Sequence, residues 1–348
     1  MSLRDRIEKS LPPVDLERAK RILLKSAHSL SGLAKRLQTT DGRALDAVQA
    51  LAKQGVNIEV HGGLYSVERT PRQPEKSFRV VSDARGYHRF GVISDTHYGS
   101  KYAREDVCDA LYDWFEQEGV TTVYHGGNWI DGEARFNKHD LIPEAHGMQA
   151  QLDYFVERYP QRDGITTYYV AGDDHEGWYS QREGVDIGQM LEDTAKRAGR
   201  IDLVHLGYME AFVTHVHRKS KKTSKLLLMH PGGGSAYATS YAPQKIVEAM
   251  QPGEKPGILI LGHYHKMEYV NIRGVHTIQA GCTKDLDPFG RKKRLQYHVG
   301  GGIIEAWQDE GGAFTRVRAD LMQFYDRGYY NGQFNPAGVI KKMRAPHG

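Results

Sequence analysis

Imidazole and carboxylate side chains recur in this chain at the ends of short apolar runs, and that recurrence limits the folds open to it. The run at 90–94 enters Asp95-Thr-His97, and the run at 120–124 enters a glycine-rich stretch holding Asn128 and Asp131. The run at 165–171 enters Gly172-Asp-Asp174-His175-Glu176, that at 225–229 ends at His230, and that at 258–261 enters Gly262-His263-Tyr-His265. Each is short, apolar and bounded by glycine or polar residues, which is how a buried strand reads. Helical patterns at 106–117 and 144–157 separate the first three. Strands alternating with helices predict an α/β architecture, whose sites lie just past the C-terminal ends of its strands. Later runs at 269–272, 275–279, 302–307 and 314–317 add a strand-rich half.

A single D-x-H triplet in a histidine-rich chain means little; an ordered series of five such stretches reads as a ligand set. Hydrolysis of a phosphoester near neutral pH needs a strong nucleophile, neutralised phosphoryl oxygens and a proton for the leaving oxygen. Two divalent ions about 3.5–4 Å apart supply the first two, by acidifying a bridging water and clamping the phosphate. Mixed imidazole and carboxylate donors suit Mn²⁺, Fe or Zn²⁺ better than Mg²⁺, with Mn²⁺ the expected ion.

In order, spacing and local context, these stretches resemble the calcineurin-like metallophosphoesterase superfamily, over roughly residues 88–310. The family pattern is D-x-H, G-D-x-x-D, G-N-H-[DE], a lone His, then G-H-x-H. The resemblance implies a four-layer β-sandwich flanked by helices. It implies that Asp95, His97 and His265 hold one metal and Asp174, His230 and His263 the other, with Asn128 between them. His175 would donate the proton to the leaving oxygen, with Asp131 holding its ring. Two positions depart from the pattern: Asn128 stands where the family has a bridging Asp, and Asp174 where it has Asn. The exchange conserves ligand charge, so the pair reads as compensated, against the harsher alternative of an inactivated site. Asp173, in the place of a family glycine, leaves the ligand from that loop open.

Upstream the periodicity changes. Helical stripes within 16–37 and again at 45–52 precede an alternation at Val56, Ile58 and Val60, a Gly62-Gly63 turn, and Tyr65 and Val67. Three helices and a hairpin predict a small winged helix-turn-helix domain over 1–70, which would present Arg43 and Lys53 outward to nucleic acid. A polar, proline-containing linker over 71–87 follows, then the catalytic domain at 88–320 and a tail at 321–348.

The net charge of +4 is concentrated at the N-terminus, where residues 1–76 carry 14 Lys/Arg against 9 Asp/Glu. Basic clusters recur at 218–222, including Lys221 and Lys222, and at Arg291-Lys-Lys-Arg294. Basic groups beside a phosphoesterase site favour a polyanionic substrate through counterion release. His125, His139 and His146 read as surface or supporting groups, Gly232-Gly233-Gly234 as either phosphate-binding backbone or a tight turn, and Trp178, Tyr179 and Tyr264 as either stacking or packing residues. Cys108 and Cys282 form no disulfide framework, no run is long enough to span a membrane, and the start lacks an apolar leader, so a cytoplasmic protein is expected.

The expected function is thus a two-metal phosphodiesterase acting on nucleic acid, DNA before RNA, most similar in its motifs to break-repair and recombination nucleases; a phage source and a homodimer would both suit it. The alternatives are a phosphomonoesterase that uses the winged helix for protein contacts, and a catalytically inactive DNA-binding protein.

Overall fold

The computed structural model describes residues 14–69, 77–134, 137, 139–234, 238–251 and 253–325. The chain divides into two compact units, one comprising Met1–Arg72 with Tyr179–Met190, the other Gln73–Trp178 with Leu191–Gly348.

The smaller unit contains α1 (Leu16–Lys25), α2 (Leu30–Leu37), α3 (Asp41–Lys53) and the hairpin β1 (Ile58–His61) and β2 (Leu64–Val67). Asp15, Ser29 and Thr40 cap the three helices by accepting a backbone N–H in the first turn. Leu23, Leu33, Val48, Leu51, Val56 and Val67 are buried, in line with the helical stripes and the alternation in the sequence. The segment 179–190 joins this unit through a bridge between Val56 and Val185 and an ion pair between Lys20 and Glu183 at 2.5 Å. Its place here is not announced by the sequence.

The larger unit is a mixed α/β fold with two six-stranded sheets. One orders β14 (Phe314–Phe324), β13 (Val299–Gln308), β4 (Tyr87–Ile93), β5 (Thr122–His125), β6 (Thr166–Ala171) and β7 (Leu203–Tyr208). The other orders β11 (Met267–Ile272), β12 (Val275–Ala280), β10 (Ile258–Leu261), β9 (Thr223–Met229), β8 (Glu210–Val216) and β3 (Phe78–Val81). β4 to β7 are parallel, as are β9, β10 and β12. Alternate residues face inward from both sheets, Phe90 and Val92 from one and Leu226, Leu228, Ile258 and Ile260 from the other, in one buried cluster. Outside the first sheet lies α4 (Glu105–Gln117), whose Phe115 closes on Gly91; a Cβ there would stand 2.9 Å from the ring. Outside the second lies α8 (Tyr241–Ala249), packing Val247 with Leu259 and Leu261. These are the four layers expected from the sequence.

The helical pattern at 144–157 resolves into a 3-10 turn at Pro143–Ala145 and α5 (Met148–Arg158), separated by Gly147 at φ 96°. Two further helices, α6 (Gly177–Glu183) and α7 (Ile187–Arg197), precede β7. The stretch 71–87, read as a linker, contains β3 and the start of β4, because β3 pairs in parallel with β8 as a sheet edge. Residues 70–76 of it lie outside the described residues, as does the tail from 326, while 321–324 belong to β14. No helix among the described residues is long and apolar enough to cross a membrane.

Candidate metal centre

Seven of the expected site residues meet where β4, β5, β6, β9 and β10 end. Asp95, His97 and His265 form one group of converging donor atoms, and Asp174, His230 and His263 another. In the first, His265 Nε2 stands 3.2 Å from Asp95 Oδ1 and 3.2 Å from His97 Nε2. In the second, Asp174 lies 3.6 Å from His230 Nε2 and 3.5 Å from His263 Nδ1, beyond hydrogen-bond length. Asp173 joins no such group among the described residues.

Hydrogen bonds on the far side of three of the four rings fix which nitrogen faces the centre, while His265 Nδ1 is buried without a partner among the described residues. His97 Nδ1 donates to Asp131 Oδ1 at 2.9 Å, His230 Nδ1 to the Gly126 carbonyl at 2.6 Å, and His263 Nε2 to the Gly233 carbonyl at 2.7 Å. A ring that donates through one nitrogen keeps a lone pair on the other, the arrangement that prepares a metal ligand. His230 Nε2, His263 Nδ1 and Asn128 Oδ1 are buried without a hydrogen-bond partner among the described residues. Three buried orphaned acceptors aimed at one place is a costly arrangement unless something cationic joins them.

Space is held open for it. A Cβ on Gly172 would stand 2.6 Å from Asn128 Oδ1, and one on Gly127, at φ 95°, would stand 2.5 Å from His230 Nδ1. Asp95, His97, Asn128, His263 and His265 all adopt left-handed φ between 50° and 76°. Such backbone costs about 1–3 kcal/mol per residue and persists where the surroundings over-determine it. Here the strain falls on the ligands. Buried Glu176 ties two of the loops together by accepting from Asn128 N at 2.9 Å and Gly172 N at 2.7 Å.

The electrostatics agree. Burial alone would raise Asp95 and Asp174, but the surrounding histidines hold both carboxyls well below the usual carboxylate range. Burial would lower His230, yet Asp174, Asp95 and Glu176 raise it to about 10, so this point of the site calls for positive charge. His97 is pushed down, by burial first and then by Lys284, His175 and His265; burial likewise lowers His265. Asp95 and Asp174 ionised and His97 and His265 neutral are in the states that ligate divalent metals, whereas His230 and His263, raised against burial chiefly by Asp174, would each release a proton on binding one. The donor set therefore fits the two ions expected from the sequence.

His175 belongs to the third converging group, with His97 and Asp131. Its Nδ1 donates to the backbone carbonyl of Asp131 at 2.7 Å, while the Asp131 carboxylate is 3.6 Å away and closer to His97. Asp131 thus orients His97 through its side chain and His175 through its main chain. Asn137 and Lys284, neither singled out in the sequence, complete this corner. Asn137 Nδ2 donates to the Asp131 carbonyl and lies 3.2 Å from Asp131 Oδ2. Lys284, fully buried, bridges Asp131 Oδ1 at 3.1 Å and Asp287 Oδ2 at 2.8 Å.

The centre opens into a cavity of about 650 Å³ that also reaches Gly233, Gly234 and Tyr264. Tyr179 is fully buried and has no face to offer a ligand. Trp178 is half-buried. His125 is buried against Thr96 Oγ1 at 3.1 Å and driven by burial to about 3, a neutral structural group, whereas His139 and His146 are exposed. Of the expected nucleic-acid contacts, Lys53 is exposed and Arg43 half-buried, both on α3. Lys221 and Lys222 are exposed but precede β9, whereas His230 follows it, so about 23 Å of strand separates them from the metal centre. The expectation that both later basic clusters flank the site fails for this one, since strand direction cannot be read from a charge run.

No protein-family model matches this chain, and no curated protein does. Among solved structures it is similar to an archaeal phosphodiesterase, at 14% identity over 68% of this chain and 100% of that one, with a TM-score of 0.34. It is also similar to a Vps29 from Entamoeba histolytica complexed with Zn²⁺, at 13% identity over 68% and 99%, TM-score 0.31. A 5'-nucleotidase precursor from Thermus thermophilus shares 12% identity over 74% of this chain and 60% of that one, TM-score 0.36. At such identities and scores these likenesses assign no function.

Proposed function

We propose that this protein is a two-metal phosphodiesterase that hydrolyses nucleic acid, DNA before RNA. The observation that carries the reading is the pair of adjoining donor groups, with three of their four rings held from behind, beside His175 at one cavity. Asp95, His97 and His265 would hold one ion and Asp174, His230 and His263 the other, with the Asn128 amide oxygen facing the second group. Bound divalent ions, Mn²⁺ in this reading, would supply a nucleophile at neutral pH and neutralise the phosphoryl oxygens.

The chain's own residues do the rest. Hydrolysis breaks the P–O bond to the leaving alcohol, forms one from water oxygen to phosphorus, and leaves a proton to be delivered to the departing oxygen. Because His175 Nδ1–H is committed to the Asp131 carbonyl, Nε2 is the atom that carries the transferable proton.

The smaller unit supports the same reading. Three capped helices and a glycine-tipped hairpin fit a winged helix, whose phosphate contacts would run through Lys53 and its basic neighbours. The test is hydrolysis of bis-p-nitrophenyl phosphate and of labelled DNA and RNA by Mn²⁺-loaded protein, with and without chelator. Chelator-sensitive cutting of both diester and polymer is expected; cleavage of p-nitrophenyl phosphate alone would make the protein a monoesterase.

A further inference from the structure

Asn137 and Asp140 both line the cavity, as does His175. One turn carries the pair. Asp140 N donates to the Asn137 carbonyl at 2.8 Å, Asn137 N to the Ala134 carbonyl at 3.2 Å, and Lys101 N to the Asp140 carbonyl at 2.9 Å. Both residues are buried, Asn137 to 4% exposure and Asp140 to 9%.

The Asn137 amide fits in only one orientation. Its Nδ2 faces two acceptors, the Asp131 carbonyl and, at 3.2 Å, Asp131 Oδ2, and turning the amide over would set oxygen against both. Oδ1 is the atom left over, buried without a hydrogen-bond partner among the described residues. The Asp140 carboxylate shares this condition. Burial raises its pKa and no hydrogen bond among the described residues offsets that, while the exposed His139 ring, at 3.8 Å, is out of reach. Lys284, the buried cation of this corner, is already held by Asp131 and by Asp287, the cap of α9 (Pro288–Lys293).

A buried amide oxygen without a partner is costly, and beside a reaction centre it points to a ligand that brings donors. A phosphodiester brings none, and a carboxylate repels it, so this wall takes a different part of the substrate. Neither residue belongs to a group of converging metal donors among the described residues. Asn137 Nδ2 also stands 3.3 Å from His175 Nδ1. In the proposed function His175 hands a proton to the leaving oxygen, so the unsatisfied acceptors lie beside the sugar that carries that oxygen. A hydroxyl on that sugar is within a few bonds of the leaving oxygen, whereas the hydrogen-bonding edge of the base lies across the ring. Acidic side chains hold sugar hydroxyls in the same way in dinucleotide sites.

We propose that Asn137 and Asp140 form a sugar-hydroxyl subsite, which selects a leaving nucleoside with a free hydroxyl near the scissile bond. In nucleic acid that hydroxyl has two sources, the terminal hydroxyl of a DNA end and the 2′-hydroxyl of a ribonucleotide. The inference rests on the proposed diesterase function and goes further by naming the group that is read and the residues that read it.

The test uses the full-length Mn²⁺-loaded protein as parent, Asp140→Ala and Asn137→Ala. Each is assayed on bis-p-nitrophenyl phosphate, which has no hydroxyl, and on internally labelled oligonucleotides of one sequence. These are DNA with free terminal hydroxyls, the same DNA with both terminal hydroxyls replaced by hydrogen, and that second strand with one internal ribonucleotide. The parent should cut at a hydroxyl-bearing nucleotide, terminal or ribo, with kcat/KM about 10- to 100-fold above that on the hydroxyl-free strand. Which strand is favoured identifies the source. Asp140→Ala should erase most of that preference while staying within about twofold of the parent on the small diester. Asn137→Ala should slow every substrate through its contacts with Asp131 and His175, and shrink the preference as well. Equal cutting of all three strands by the parent would mean that water alone satisfies the wall, and overturns the subsite. A preference that survives both substitutions overturns its assignment to Asn137 and Asp140. A parent that cuts the small diester but none of the strands overturns the proposed function and this inference together.

Discussion

Lys284 is a buried cation held between two carboxylates, and Lys284→Met should expose what that bridge contributes. Its ammonium is 2% accessible and lies between Asp131, at 3.1 Å, and Asp287, at 2.8 Å. Burial opposes its charge, but the two carboxylates hold its pKa above the ordinary lysine value. Methionine keeps the volume and deletes the charge, leaving two buried carboxylates without their shared cation. Breaking a buried ion pair from one side costs about 3–5 kcal/mol. All four tryptophans, at 114, 129, 178 and 307, belong to the larger unit, so their fluorescence in urea reports its unfolding. With a slope of about 1–3 kcal/mol per molar urea, the midpoint should fall by roughly 1–5 M. A carboxylate left unpaired in the fold has a raised pKa and binds protons more readily folded than unfolded, so the deficit should shrink as pH drops from 7 towards 5. Asparagine caps a helix as well as aspartate does, so adding Asp287→Asn should recover part of the loss while keeping the bond to Gly290. A deficit under 1 kcal/mol, or an Asp287→Asn loss that simply adds, would refute the bridge as described.

Three further outcomes are expected. His175→Asn should keep its metals and lose about 10²–10⁴-fold in kcat on bis-p-nitrophenyl phosphate; loss of a metal by elemental analysis would instead make His175 a ligand. Asp174→Asn should weaken Mn²⁺ binding, and adding Asn128→Asp should restore much of it by returning the missing charge; additive losses in titration calorimetry would reject compensation. The fold should also be acid-sensitive at the end of the sandwich remote from the metal centre. There His215 Nδ1 lies 3.2 Å from His88 Nδ1, and His88 Nε2 donates to Gln308 Oε1 at 2.8 Å, a chain that breaks when both rings are charged and both Nδ1 atoms carry a proton. Burial lowers both histidines, so below about pH 6.5 the unfolded state binds more protons and stability falls with pH, by ~1.4 kcal/mol per unit for each proton. Urea midpoints between pH 7.5 and 5.5 should show this slope and His215→Phe should reduce it; an unchanged slope would contradict the assignment.

The metal ligands were legible because their signal is local. Each sits within a few residues of a strand end, and strand, glycine and ligand together make a pattern that tertiary packing does not alter. The groups that orient them were not. Lys284 is 153 residues from Asp131 in sequence, and Lys-Asp-Leu-Asp reads as any polar loop. The sequence paired Asp131 with His175, but its carboxylate lies 2.9 Å from His97 and 3.6 Å from His175, a difference that spacing does not encode. β3 went unseen because four residues beside a proline-rich stretch carry little periodicity, and its partner strand begins 132 residues later. The excursion of 179–190 into the smaller unit has no compositional mark either; it rests on contacts such as the bridge of Val56 with Val185.

The central claim is that two ions occupy the two donor groups, and the most direct measurement is the number of Mn²⁺ bound per chain after reconstitution. Elemental analysis should give two for the parent chain, one for His230→Ala and one for His97→Ala, since each variant strips a different group. A parent chain that binds none, or two variants that leave the count at two, would contradict the account.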